Sequence, residues 1–215
     1  MKTIPYEVKT GAENMQTDND LLEYAIENHL KNPVFRLYGW SPACVSLGRN
    51  QKEDFLNYEF LKQKGIDIVR RLTGGRALLH DKELTYCYIC PVEFLRHGEN
   101  VTESYKEISQ FLIEKFAKIG IPLEFGTQKA VKTKFDYCML ISTGADLCYE
   151  GKKLIGSAQC RKNGYILQHG SILLDYDREL LEGIFRERVD ASEITCLKEI
   201  KPEMKFEDLL NAMEN

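Results

Sequence analysis

Asn163-Gly164 lies between two runs of strand character, Lys153 to Arg161 and Tyr165 through Asp175. An Asn-Gly pair adopts the positive φ angles of a two-residue hairpin turn at little steric cost, so the two runs are expected to pair as antiparallel neighbours. That pairing brings Gly156, Ser157, Gly170 and Ser171 into one region of sheet and sets Gln159 and Gln168 on either side of the same turn. A sheet wall thinned by small residues can accept an extended apolar ligand, with Lys153 at one end for a carbonyl or carboxylate.

The rest of the chain reads as an alternation of helices and short strands. Asp18 to Leu30 has an apolar stripe through Leu21, Leu22, Ala25 and Ile26, with Asp18 as N-cap and His29 as a helix-end residue. Val34 to Tyr38 and Cys44 to Leu47 read as strands joined through Gly39-Trp40-Ser41-Pro42, and Phe55 to Lys64 as a helix closed by Gly65. Ile66 to Val69 alternates, a strand-like run begins at Leu84, and Thr102 to Ile119 carries the strongest helical periodicity. Between Glu124 and Asp146 periodicity is lost, and Lys129, Lys132 and Lys134 punctuate a candidate loop. Leu147 to Tyr149 resumes as strand, and Asp177 to Phe185 and Phe206 to Met213 close the chain as helices. Short strand-to-strand links predict an α+β fold, a mixed and largely antiparallel sheet flanked by helices, in one domain over residues 1–215.

Composition narrows the function classes. A net charge of -4 argues against a generic nucleic-acid binder, and no run approaches the roughly 20 apolar residues of a membrane span. The N-terminal residues lack the apolar core of a signal peptide, which predicts a cytoplasmic protein. Seven cysteines, an odd number, fit no disulfide framework. Cys87 and Cys90 form a C-x-x-C within a strand-like run, where residues three apart point to opposite faces, so no metal site is expected there.

Arg70 to Asp81 places Gly74-Gly75 between arginines, an arrangement that suits an acidic or carbonyl-bearing ligand as well as a tight turn. His80 precedes Asp81, which could orient it, although a hydrogen-bonded structural role is favoured over proton transfer; His169 lies in the small-residue strand and can line a pocket. R-R-x-T-G-G-R-x-x-x-H-D, then G-K-K-x-x-G-S-A-Q-x-R and L-Q-H-G-S-I-L-L-D, resembles the lipoate-protein ligase and octanoyltransferase superfamily. Arg36 to Pro42, Ser46 to Gln51, and Asn14-Met15 with Asp18 and Leu22 match as well, so the resemblance covers roughly residues 10 to 176.

The resemblance implies the catalytic-domain fold shared with biotin protein ligases. Tyr137-Cys138-Met139 resembles the nucleophile position of LipM-type octanoyltransferases, with Met139 where Phe is usual and Ile141 to Asp146 where a Pro-Ser-x-Tyr-Glu segment is expected. It implies octanoyl transfer from acyl carrier protein to a lysine of a lipoyl-accepting domain or glycine-cleavage H protein, without cofactor. Cys138 is then the nucleophile and Lys153 its thiolate-supporting, carbonyl-positioning partner. Arg71, Thr73, Gly74, Gly75 and His80, with Gly156, Ser157, Ala158, His169 and Gly170, frame the acyl site. The lysines at 129, 132 and 134 can assist docking of an acidic carrier, although a solvated loop accounts for them equally. Two alternatives remain open: a ligase that uses ATP and Mg²⁺ to make lipoyl-adenylate, and a non-catalytic lipoate- or acyl-binding module.

Overall fold

In the computed structural model the chain runs β1 (Lys2–Lys9), α1 (Gly11–Glu27), β2 (Val34–Trp40), β3 (Cys44–Leu47), α2 (Tyr58–Lys64), β4 (Asp67–Arg70), β5 (Leu78–His80) and β6 (Glu83–Pro91). It continues through a 3₁₀ turn and α3 (Val101–Lys118), β7 (Glu124–Phe125), β8 (Leu147–Tyr149), β9 (Lys152–Lys162), β10 (Tyr165–Leu173), α4 (Arg178–Phe185), α5 (Leu197–Ile200) and α6 (Phe206–Glu214). The structure describes residues 1–127, 137, 139, 144–186, 188 and 192–214. Among these, no helix is long and apolar enough to cross a membrane.

Two sheets form, in the orders β1-β2-β6-β10-β9-β8-β7 and β4-β3-β5. In the large sheet only β1 and β2 run parallel; the remaining neighbours are antiparallel, giving the mixed α+β architecture expected from the short links. Asn163 and Gly164 take φ of 47° and 80°, the left-handed pair that a tight hairpin demands, and β10 returns on β9 with Gly170 opposite Ser157 and Ser171 opposite Gly156. Every residue of β6 and β10 is buried, so these two strands form the middle of the sheet. Met15, Leu22 and Ala25 of α1 pack on one face against Val34, Tyr38 and Leu167. Ile108, Leu112 and Phe116 of α3 pack on the other, against Phe35, Tyr88 and Ile166. Cys87 belongs to the first cluster and Cys90 to the second, so the C-x-x-C thiols are separated by the sheet itself.

Several expectations change. Helix α1 begins seven residues before Asp18: Thr10 accepts from the Glu13 N–H at 3.3 Å while its own N–H donates to Glu13 Oε2 at 3.0 Å, a capping box that outcompetes Asp18 as the start signal. Asp18 is instead buried in mid-helix. β1 and β5 were not expected; β1 is an exposed edge strand whose weak patterning hides it, and β5 is only three residues long. β2 and β3, adjacent in sequence, belong to different sheets. The segment read as a loop from Glu124 opens with β7, paired to β8. Lys129, Lys132, Lys134 and Cys138 lie outside the described residues.

Candidate active site

The small residues of the β9–β10 hairpin leave room above the sheet. A Cβ at Gly170 would come within 2.6 Å of Tyr86 Cε1 and 2.7 Å of the Gly156 carbonyl oxygen, so no larger residue fits there. An inner cavity opens under α1, walled by Met15, Trp40 and Leu78. Of the expected site residues, Arg71, His80 and His169 line it together with the small set Gly156, Ser157, Ala158 and Gly170. An outer cleft shares Ser157 and Ala158 with the inner cavity and is lined by Gly74, Gly75, Arg76, Tyr105, Asp146 and Lys153 among others. The sequence-derived site is therefore two compartments meeting at β9, an apolar chamber and a more open vestibule with Arg76, Asp146 and Lys153 in its wall.

Lys153 owes its position to an irregularity in β9. Cys148 pairs with Lys153 whereas Leu147 pairs with Ile155, so β9 carries one extra residue, Leu154, and bulges. In a regular strand Lys153 and Gly156, three apart, would face opposite sides; the extra residue brings them to one side. Lys153 Cε indeed fills the space beside Gly156, 2.9 Å from where a Cβ would stand, with Met139 Sδ at 3.0 Å from the same point. The Lys153 N–H donates to Glu193 O at 2.9 Å and its carbonyl accepts from Thr195 N–H at 3.0 Å, which clamps the backbone. Its ammonium, on a residue only 1% exposed, lies 3.0 Å from Oδ2 of Asp146, 2% exposed. Sequence reading missed Asp146, because the pair spans a bulge that no local pattern announces.

The glycine loop is held from within. Arg71 gives Nε–H to Thr73 Oγ1 at 3.1 Å, Nη1 to Ser46 O and Oγ at 2.9 and 3.2 Å, and Nη2 to Gly74 O and Arg76 O at 2.9 and 2.7 Å. Those bonds account for its full set of donors. The guanidinium expected to meet an acidic ligand is thus committed to the carbonyls that shape the loop, and Arg70 likewise donates to Gly48 O and Gln51 O, both at 2.8 Å. Gly75 takes φ of 95°, and its carbonyl sits where a Cβ on Gly48 would be, which fixes the loop against the end of β3.

From Thr73 a buried polar chain runs through His169, which lines the chamber. Thr73 Oγ1 lies 2.8 Å from His169 Nε2, and His169 Nδ1 donates to Asp18 Oδ2 at 3.1 Å. Asp18 also accepts from Arg36 Nη1 and the Tyr38 hydroxyl, each at 2.8 Å. Burial pushes the Asp18 carboxyl upward, but hydrogen bonding and charge from His169 and the charge of Arg36 outweigh it and hold the group below its ordinary range. His80 stacks on Trp40 with centroids 3.9 Å apart, and its Nε2 is 2.8 Å from Ser46 Oγ. Its acidic neighbour is Glu83, 3.5 Å from Nδ1, rather than the adjoining Asp81. Burial lowers its pKa, favouring a neutral, structural imidazole.

The family model described as the lipoyl protein ligase A/B catalytic domain matches residues 10–215. The chain belongs to this family. Octanoyltransferase LipM of Geobacillus kaustophilus is 42% identical over 181 residues, 80% of this chain and 65% of that protein. Octanoyltransferase LipM of Staphylococcus aureus is 40% identical over 192 residues, 83% of this chain and 68% of that protein. The chain thus spans just under two thirds of the first relative's length. A crystal structure of lipoate-protein ligase A bound with ATP aligns with a TM-score of 0.77 at 19% identity, covering 99% of this chain and 81% of that one, which establishes a shared fold. In family terms, the chamber and vestibule are built by the R-R-x-T-G-G-R loop, the G-K-K-x-x-G-S-A-Q strand and the Q-H-G-S strand, three segments brought together from across the domain.

Proposed function

We propose that the chain is an octanoyl-[acyl carrier protein]:protein N-octanoyltransferase, working in the cytoplasm through a thioester on Cys138. The observation that carries this reading is the buried Lys153 ammonium, which lines the vestibule and abuts Gly156 of the apolar chamber. The relatives named octanoyltransferase support it. The chamber takes the acyl chain and the vestibule admits the donor's arm and then the acceptor's lysine. The Cys138 thiolate attacks the donor thioester; its carbon–sulfur bond breaks, and the carrier's thiolate departs and takes up a proton. The acceptor's neutral lysine amine then attacks the enzyme thioester, forming the amide and returning a proton to the Cys138 sulfur. In both steps Lys153 places positive charge by the carbonyl oxygen.

Assignment of the nucleophile to Cys138 gains support from four of the six other thiols. Burial pushes Cys44 and Cys90 up to about 12, Cys160 to about 11 and Cys87 well above the ordinary range, so each of these stays protonated at neutral pH. Octanoyl-carrier protein mixed with enzyme in the absence of an acceptor is expected to add one octanoyl group by intact mass, on Cys138 and not in Cys138→Ser. An adduct on another cysteine, or none under turnover conditions, refutes the reading. The fold likeness to an ATP-bound ligase motivates the second arm. Transfer from the carrier thioester to a lipoyl domain or glycine-cleavage H protein should run in EDTA without ATP, whereas strict need for ATP, Mg²⁺ and free lipoate identifies a ligase. Tight lipoate binding with neither activity identifies a binding module.

A further inference from the structure

An enzyme that delivers acyl groups to lysine amines, and keeps a lysine of its own beside the reacting carbonyl, faces a hazard: its own amine is chemically the same as the acceptor's. Lys153 is 1% exposed, in the vestibule wall beside Gly156 of the chamber, and desolvation favours the neutral form of a lysine. A neutral amine there is a nucleophile. Asp146, buried with it, sets a carboxylate 3.0 Å from the ammonium, and the Ser157 N–H reaches the other carboxylate oxygen, Oδ1, at 3.5 Å, orienting the group. Among the described residues, the other titratable side chains that line the vestibule are Arg76 and Tyr105. The Asp146 carboxylate therefore opposes desolvation and favours the charged form of Lys153.

We infer that Asp146 is a positioning residue whose task is to keep Lys153 protonated and so protect the enzyme from acylating itself. This rests on the acyl-transfer reading above. Without the carboxylate, the neutral Nζ attacks the thioester carbonyl, whether on the donor or on Cys138. A carbon–nitrogen bond forms, the carbon–sulfur bond breaks, and the amine's proton passes to the departing sulfur, leaving a thiol and a permanent octanoyl amide on Lys153. Acylation converts the cation into a neutral amide, so each such event ends the enzyme's working life.

The test uses octanoyl-carrier protein, intact and peptide mass, and hydroxylamine, which cleaves thioesters and spares amides. Wild type should carry an adduct that hydroxylamine removes completely. Asp146→Asn should accumulate a hydroxylamine-resistant octanoyl group on Lys153, with activity falling over successive turnovers rather than only from the start. Asp146→Glu should restore the removable adduct, and Lys153→Met in the Asn background should abolish the resistant one. Wild type supplies a check that no folding defect can obscure: resistant acylation of Lys153 should be absent at pH 7 and grow as pH approaches that of free lysine, about 10.4. Resistant adduct on wild-type Lys153 already at pH 7, or folded Asp146→Asn carrying only removable adduct, overturns the inference. A wild type that forms no removable adduct at all overturns the acyl-transfer reading instead.

Discussion

Arg36 with Asp18, at 2.8 Å, and Lys153 with Asp146, at 3.0 Å, are both ion pairs whose side chains are no more than 3% exposed, and they sit at different ends of one site. Around the first, Asn14 accepts from Arg36 Nη2 at 2.6 Å, the guanidinium lies 3.9 Å from the Tyr38 ring centroid, and His169 and Tyr38 complete the carboxylate's partners. A guanidinium cannot give up its proton in a protein, so such a pair serves as fixed architecture joining α1 to the sheet. An ammonium can be neutralised by its surroundings, and it stands where the chemistry is expected. The difference teaches that burial and distance alone do not say what an ion pair is for; the cation's chemistry does.

The comparison breaks most easily at Asp18. Asp18→Asn keeps shape but strands a permanent buried cation, and should cost about 3–5 kcal/mol in urea unfolding. In wild type, because the folded pKa of Asp18 lies below its unfolded value, its stabilisation is present above about pH 4 and fades as pH falls through the lower, folded value. Lys153→Met should cost less, about 1–3 kcal/mol, since the remaining Asp146 can take up a proton. The sign of its pH dependence should be opposite: with the lysine's charge removed, burial disfavours the ionised carboxyl, so this variant should lose stability as pH rises from 4 toward neutrality. Transfer should be abolished in Lys153→Met, and iodoacetamide labelling of Cys138 should shift to higher pH by up to about one unit, tempered by Asp146 already offsetting the lysine's charge. Equal slopes for the two variants would erase the distinction drawn here.

Smaller effects sharpen it. Thr73→Val removes the hydroxyl between Arg71 and His169 and should cost about 1 kcal/mol while leaving the pH dependence of labelling unchanged, because it touches the architectural side alone. His80 has a folded pKa below its unfolded value, so unfolded chains bind more protons just below pH 6.5 and stability should rise with pH through that range. His80→Gln should flatten this rise; an unaltered slope would show that another group titrates there.

What the sequence disclosed was what local chemistry encodes. Asn163-Gly164 has one comfortable conformation and thereby announced the hairpin, its register and the gathering of small residues; Gly65, with φ of 65°, closed α2 as read. Family resemblance located the segments that line both compartments. What stayed hidden was non-local. That Arg71 spends its donors on its own loop depends on how the chain curls after β4, and that His80 meets Glu83 rather than Asp81 depends on the return into β6. Asp18 looked like a helix start because its partners, Arg36 and His169, are 18 and 151 residues away. The nucleophile assigned by resemblance, Cys138, lies outside the described residues and rests on the labelling experiment.

The extra residue in β9 makes the site depend on the length of the strand. A strand has a two-beat rhythm, and Leu154 is a syncopation that puts everything before it out of step with everything after. Lys153 therefore belongs to the site only through a count of residues, and no substitution of Leu154 by another apolar side chain alters that count. A one-residue deletion there does: it restores the even beat and turns the lysine toward α3's side of the sheet, with each neighbouring side chain keeping its identity. For this strand, length fixes the site more tightly than spelling does.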